Sequence, residues 1–292
     1  MAQAPLSLSA PAKINLALHV TGRRADGYHL LETLAVFCEL GDRLQFHPSA
    51  EDEFAVTGRF ATGLSADDSN LVLRARDRVR LASGAAPCPP VSILLEKNLP
   101  VASGMGGGSS DAAAALRALS RLWDLRLSHP ALAVLGADLG ADVPMCLSGR
   151  PLLARGIGEE ISPLEDWPEL DVVLVNPGAG VSTPDVFRRL ASRENPPLPP
   201  MPRHADHGAV CDWLAGTRND LEEPARAIAP DIGQALDALR AAGAGFARMT
   251  GSGATCFGLF PGPRAAARAA AAIRSGHPGW FVEPTRTMGA HA

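Results

Sequence analysis

L-P-V-A-S-G-M-G-G-G-S-S-D-A-A-A-A-L-R-A-L, residues Leu99 to Leu119, is the stretch around which the chain is organised. It follows a strand-like run, Val91 to Leu95. Gly104, Gly106, Gly107 and Gly108 then lead into Ser109, Ser110 and Asp111, and Ala112 to Leu119 is an unbroken run of strong helix formers. Glycine permits positive φ and close backbone approach, so successive N–H groups can turn inward around an anion. Gly107 is read as one such positive-φ position, and Ser109 and Ser110 as helix N-caps. A glycine-rich turn feeding a helix N-terminus is physically a phosphate cradle.

The type of cradle is narrowed by spacing. The Walker pattern requires a Gly-Lys-Ser/Thr ending, and no lysine lies between Gly104 and Leu119. The dinucleotide pattern requires a third glycine where Ser109 stands. The competing structural reading is a flexible linker before an alanine-rich helix, with Asp111 as a first-turn dipole partner rather than a metal ligand. A phosphate loop of a third type is the preferred reading.

At 292 residues the chain accommodates two domains with their own cores, or one large one. Hydrophobic content of 46% with 20% charged residues is that of a soluble globular protein. A net charge of −4 argues against a nucleic-acid footprint. No apolar run approaches the roughly 20 residues of a membrane span. Met1 to Ala10 has neither a charged n-region nor a long apolar core, so no secretory leader is expected and the location is read as cytoplasmic. The cysteines (Cys38, Cys88, Cys146, Cys211, Cys256) are scattered, form no C-x-x-C pair and share no metal-ligand spacing with the histidines. They read as reduced, mostly buried thiols, and no metal site is expected from side chains.

One bias is informative. Of 27 basic residues only Lys13 and Lys97 are lysines. A lysine kept in so arginine-rich a chain points to a need for a compact ammonium.

Leu6 to Ala10 and Lys13 to Val20 read as two strands, the second alternating so that Lys13 and Asn15 share a face. A surface lysine at a strand start is the plain reading of Lys13; a site is the other. Thr21 to His29 is a polar glycine turn that sets Tyr28 and His29 side by side, to stack on and hydrogen-bond a flat ring or to cap the sheet edge. Leu30 to Leu40, Leu44 to His47 and Phe54 to Thr57 read as strands. Asp67 to Leu81 reads as a helix capped by Ser69, and Leu127 to Leu139 as one capped by Ser128. Gly140-Ala141-Asp142-Val143-Pro144 breaks helix and sets Asp142 in a turn, as a cap, a general base or an electrostatic anchor. Beyond it come strands at Leu152 to Arg155, Val172 to Val175, Phe246 to Met249, Ala254 to Phe260 and Trp280 to Val282. Helices are expected at Thr183 to Leu190, Asp231 to Ala242 and Ala265 to Ile273. Ser162 to Pro168 reads as a hinge, Glu194 to His207 as a poorly ordered connection, and Thr250 to Ala254 (T-G-S-G-A) as another tight turn.

With these pieces placed, the chain resembles the GHMP kinases over nearly its whole length. Pro11-Ala12-Lys13-Ile14-Asn15-Leu16 is similar to the first motif of one branch, and Arg24-Ala25-Asp26-Gly27-Tyr28-His29 to its cytidine-side loop. Gly104 to Ser110 resembles the family's phosphate loop, usually G-L-G-G-G-S-S, with Met105 in place of leucine. Gly140 to Pro144 resembles the segment bearing the catalytic aspartate, and Gly251-Ser252-Gly253-Ala254 the C-terminal glycine motif.

The resemblance implies an α+β, two-domain GHMP kinase fold with the active site in the interdomain cleft, divided here as 1–160 and 161–292. It implies ATP-dependent phosphorylation of a hydroxyl, the 2-hydroxyl, of a cytidyl-bearing small molecule. Lys13 and Asp142 become the catalytic pair, and Pro100-Val101-Ala102-Ser103-Gly104-Met105-Gly106-Gly107-Gly108-Ser109-Ser110 the ATP loop. Asn15, Tyr28, His29, Thr183 and Phe187 fall on the cytidyl substrate. The partners implied are ATP and a small molecule, with magnesium held by ATP and water because no dedicated carboxylate pair is seen. A different small-molecule GHMP kinase would share the loop and lack the Tyr28-His29 segment. A non-catalytic sensor of this fold would lose Lys13 or Asp142.

Overall fold

Apolar alternation begins at Leu6 and carries far further than the local sequence suggests. In the computed structural model, which describes residues 5–202 and 204–290, β1 (Leu6–Arg23) and β2 (His29–Pro48) pair as strands of 18 and 20 residues. The expected breaks at Pro11 and at Gly41-Asp42 do not occur. A Cβ on Gly41 would lie 2.3 Å from the Ala10 carbonyl oxygen and 2.7 Å from Pro11 Cα, so its absence lets the two backbones pass. Two compact units result, interleaved in sequence. The first comprises the described residues up to Ala12, Gly41–Val101 and Gly106–Gly149; the second comprises Lys13–Leu40, Ala102–Met105 and the described residues from Arg150 on. The expected domains, 1–160 and 161–292, are contiguous stretches instead.

In the first unit, β3 (Glu53–Thr57), α1 (Leu71–Ala82), β4 (Val91–Glu96), α2 (Gly107–Leu122), α3 (His129–Ala137) and α4 (Val143–Ser148) follow in order. β4 lies between β3, to which it is parallel, and the second part of β2, to which it is antiparallel with Arg43 opposite Glu96. Alternate residues Val91, Ile93 and Leu95 are buried. α2 is flanked by α1, α3 and α4, and its small residues Ala112 to Ala115 are all buried. Asn70, not Ser69, caps α1: its carbonyl oxygen accepts from Val72 N–H at 3.0 Å, while Ser69 turns to Asp67. Ser128 caps α3 as expected. α4 is a short helix where only a break was expected; Pro144 is tolerated in its first turn because the N–H it lacks would have no intrahelical partner.

The second unit adds β5 (Leu152–Arg155), β6 (Glu160–Pro163), β7 (Asp171–Asn176), α5 (Thr183–Arg188), α6 (His207–Ala215), α7 (Glu222–Ile228), α8 (Asp231–Ala241), β8 (Phe246–Met249), β9 (Cys256–Phe260), α9 (Pro263–Gly276) and β10 (Phe281–Arg286). The first part of β2 pairs β5, which pairs β6, so the expected hinge at Ser162 is in part strand. β10-β7-β9-β8 form an antiparallel sheet. Val173, Val175 and Phe260 of that sheet pack with Ile232, Leu236 and Leu239 of α8 and Ile273 of α9. α6 and α7 were not expected. Asp206 caps α6 by accepting from Ala209 N–H at 2.9 Å. The described residues of the proline-rich stretch before it have no regular structure, yet Asn195 N–H and Nδ2 both donate to the Val20 carbonyl and Leu198 N–H donates to Glu32.

Candidate phosphate loop and substrate site

The expected phosphate loop passes through both units, and each part has its own anchors. In the second unit Ala102 and Gly104 take positive φ, 51° and 80°. The Ser103 carbonyl accepts Thr255 N–H at 3.1 Å, and the Met105 carbonyl accepts Lys13 N–H at 2.9 Å. Met105, the departure from the usual leucine, is fully buried. A Cβ on Gly104 would meet the Thr250 carbonyl oxygen at 2.6 Å, so only glycine lets this segment lie on the T-G-S-G-A turn.

That turn also serves β1. Asn15 N–H donates to Thr250 Oγ1 at 2.8 Å, and Asn15 Nδ2 donates to Thr33 Oγ1, also at 2.8 Å. The Thr33 hydroxyl passes the bond on to the Ala17 carbonyl at 2.7 Å. Asn15 is therefore buried and fixed, and its Oδ1 is left buried with no hydrogen-bond partner among the described residues. A buried acceptor without a donor is costly unless something else supplies one. Lys13, two residues before, is 3% exposed, which removes the surface-lysine reading.

In the first unit Pro100 and Val101 lead out of the β4 strand and Val101 is exposed. Gly106 is the N-cap of α2, in the left-handed region at φ 63°, and no side chain caps the helix. Ser109 and Ser110 lie inside the first turn instead of capping it. The first three N–H groups, of Gly107, Gly108 and Ser109, thus have neither an intrahelical acceptor nor a side-chain cap, the arrangement that suits an anion. Ser110 Oγ is buried without a hydrogen-bond partner among the described residues. Gly107 is helical, not at positive φ; a Cβ there would come into contact with the Lys97 ammonium at 3.4 Å. Asp142 ends the turn before α4 in the N-cap position, but its carboxylate makes no capping bond.

The substrate-side residues belong to the second unit, and two of them meet. The His29 ring stacks on Phe187 of α5 with centroids 4.8 Å apart and planes 26° from parallel. Burial and the positive charges of Arg23 and Arg193 lower its pKa, so the ring is neutral at pH 7. His29 Nε2 is buried without a hydrogen-bond partner among the described residues. Tyr28 beside it is 61% exposed, with its N–H held by Asp26 Oδ1. Thr183, at the start of α5, shares a 2.7 Å hydrogen bond with Ser252 of the glycine turn.

Sequence reading passed over two buried polar residues beside this turn, one of which bonds it directly. Asn219, nearly buried, donates from Nδ2 to the carbonyls of Met249 and Gly251 at 2.8 and 2.9 Å. Arg248 donates to the Leu16, Leu214 and Thr217 carbonyls and to Thr217 Oγ1. The partners named here lie at least 30 positions away, so sequence reading has no local signal for these bonds. The described residues contain no group of three His, Cys, Asp or Glu side chains able to hold a metal, and no helix long and apolar enough to cross a membrane.

Comparison with known proteins agrees with this architecture. The family model for the GHMP kinases N terminal domain matches residues 70–150, and that for the GHMP kinases C terminal matches residues 203–279. A 4-diphosphocytidyl-2-C-methyl-D-erythritol kinase of Mesorhizobium japonicum is 58% identical over 283 residues, 97% of this chain and 96% of the relative. One of Rhizobium meliloti is 57% identical over 291 residues, with the same coverage. The crystal structure of a 4-(cytidine 5'-diphospho)-2C-methyl-D-erythritol kinase, 37% identical, superimposes with a TM-score of 0.79 over 97% of this chain and 100% of that one. This chain belongs to the GHMP kinases and, among them, to the family of the 4-diphosphocytidyl-2-C-methyl-D-erythritol kinases.

Proposed function

We propose that this chain transfers the γ-phosphoryl group of ATP to the 2-hydroxyl of 4-diphosphocytidyl-2-C-methyl-D-erythritol, a step of isoprenoid precursor synthesis in the cytoplasm. One observation supports the reading most: the Met105 carbonyl accepts Lys13 N–H while Thr250 accepts Asn15 N–H. The strand bearing the expected catalytic lysine and the substrate-side asparagine is thereby bonded to the loop assigned to the nucleotide.

Phosphoryl transfer requires chiefly positioning and stabilisation of spread charge. The uncapped N–H groups at the start of α2 and the helix dipole hold the phosphates, and the loop from Pro100 to Ser110 surrounds them. Asp142 accepts the proton of the attacking hydroxyl, and Lys13 stabilises the charge that develops on transfer. The free carbonyl oxygen of Asn15 takes a substrate hydroxyl or amino hydrogen. Tyr28 stacks on the cytosine, His29 reads its edge, and Thr183 and Phe187 of α5 complete that side. Among the described residues no group of three His, Cys, Asp or Glu side chains could hold a metal, and magnesium would be held by ATP and water. The functional domains divide at residue 160, consistent with one family model on each side.

The test is ADP release by the purified chain with the cytidyl compound, homoserine or mevalonate as acceptor, with phosphorus NMR of the product. Release with the cytidyl compound alone, and a new phosphate on its 2-hydroxyl, is expected. Release with homoserine or mevalonate but not with the cytidyl compound would assign the chain to another branch, and release with none would leave a non-catalytic binder.

A further inference from the structure

Lys97 is the other lysine of an arginine-rich chain, and the mechanism above gives it no role. It lies at the end of β4, is 3% exposed and is locked by its backbone: its N–H donates to the Thr57 carbonyl at 2.8 Å, and its own carbonyl accepts Phe60 N–H at 3.1 Å. Its ammonium reaches two carboxylates. It donates to Asp42 Oδ2, and to Asp111 Oδ2 at 2.7 Å. Asp42 Oδ1 accepts the N–H groups of Asn98 and Leu99 at 2.6 and 2.9 Å, the two residues that lead into the phosphate loop. Asp111 belongs to the first turns of α2, the residues that lead out of it, and its Oδ1 is buried without a hydrogen-bond partner among the described residues. One ammonium therefore joins the two ends of the loop within the first unit.

An arginine cannot replace it. The guanidinium is larger and planar, and the Lys97 side chain is enclosed between the buried carboxylates of Asp42 and Asp111, where a compact ammonium fits. The electrostatics are asymmetric. Although burial opposes its charge, Asp111 and Asp42 raise the Lys97 ammonium above its ordinary pKa. Burial raises the Asp111 carboxyl too, beyond what the shared ammonium can offset, with the Asp42 charge adding to the rise. Asp42, whose second oxygen is held by two backbone N–H groups, is the firm anchor, and Asp111, whose second oxygen has no partner among the described residues, the weaker one.

We propose that Asp42, Lys97 and Asp111 form the positioning triad of the phosphate loop, fixing its entry to the first turns of α2 so that the uncapped N–H groups meet the nucleotide phosphates in one arrangement. The proposal rests on reading this loop as the ATP loop. The triad touches no reacting atom, so its signature is selective: the loop is misplaced while the cytidyl side is not.

The experiment is equilibrium binding of ATP, together with Michaelis constants for ATP and for the cytidyl compound, in the whole chain. Asp111→Ala removes the acceptor of a buried charged hydrogen bond and is expected to weaken ATP binding and raise its Michaelis constant about tenfold or more. The constant for the cytidyl compound is expected to stay within about twofold, because only the nucleotide contacts are weakened. Asp111→Asn keeps an oxygen for the ammonium and is expected to recover ATP binding to within about threefold of the wild type. If Asp111→Ala does not fold, Asp42→Asn makes the same test, since its one oxygen stays with Asn98 and Leu99 N–H and no acceptor or charge is left facing Lys97. An unchanged ATP constant, an equal rise in both constants, or an Asn variant no better than Ala would overturn the triad. Failure of the wild type to bind ATP, seen before any variant is compared, would overturn the loop assignment and the triad with it.

Discussion

Replacing Gly104 by alanine isolates the contact between the phosphate loop and the C-terminal glycine turn. At φ 80° an L-residue is strained by roughly 1–2 kcal/mol. The new methyl group would also stand 2.6 Å from the Thr250 carbonyl oxygen, 2.8 Å from that of Gly253 and 3.0 Å from Gly253 N. All three neighbours are backbone atoms, which cannot rotate away, so the crowding adds about 1–3 kcal/mol. The total is about 2–5 kcal/mol. Gly178 supplies the control: its φ is 81°, and its Cβ would meet nothing within 4 Å. Gly178→Ala carries the conformational strain alone, and the loss of unfolded-chain entropy is common to both variants. Urea unfolding is therefore expected to separate them by about 1–3 kcal/mol, with Gly104→Ala the less stable. If the loop yields before the turn unfolds, Ser103 and Met105 lose register with Thr255 and Lys13, and the Michaelis constant for ATP rises about tenfold per 1.4 kcal/mol of displacement. Equal unfolding midpoints and equal ATP constants in the two variants would refute the reasoning, because the steric contact would then carry no energy.

Asp142→Asn is expected to fold and bind ATP normally while turnover falls about 10²-fold or more; a variant that keeps over half of its turnover removes Asp142 as the base. Lys13→Arg is expected to lose turnover comparably, because a planar guanidinium does not fit a site that leaves this side chain 3% exposed, and wild-type kinetics there would refute the role. His29→Ala removes the ring stacked on Phe187 and the unpartnered Nε2, so catalytic efficiency with the cytidyl compound should fall and its preference over the uridyl analogue should shrink, with ATP binding unchanged; an unchanged ratio places base recognition elsewhere. His19 gives a pH test. It is fully buried, with Nδ1–H donating to the Pro196 carbonyl and Nε2 accepting Arg218 N–H at 2.9 Å, and burial lowers its pKa below the ordinary 6.5. The unfolded chain then takes up a proton before the folded one, so stability is complete above about pH 6.5 and is lost as pH falls below it. Melting temperature should drop in that range in the wild type and less steeply in His19→Gln, and parallel curves would exclude His19.

What the sequence by itself determined was local. β8 (Phe246–Met249), the Ser128 cap and the start of α5 at Thr183 with Pro184 in its first turn follow from alternation, capping chemistry and proline geometry, all written within a few residues. The glycine loop and the rarity of Lys13 and Lys97 are likewise local features, and they single out the stretch proposed as the nucleotide site. What only the tertiary structure decided involved remote partners. Asn15 depends on Thr250, 235 positions away, and Lys97 on Asp42, 55 positions away. Ser109 and Ser110 have the chemistry of caps, yet Gly106 holds the cap because its left-handed conformation leaves the first N–H groups uncapped. β1 and β2 run through an expected proline break because a glycine 30 residues on makes room for the passing backbone, and that continuity makes the two compact units interleave along the chain. Propensity acts over one or two turns of chain, whereas burial and hydrogen-bond satisfaction are settled among residues that only folding brings together.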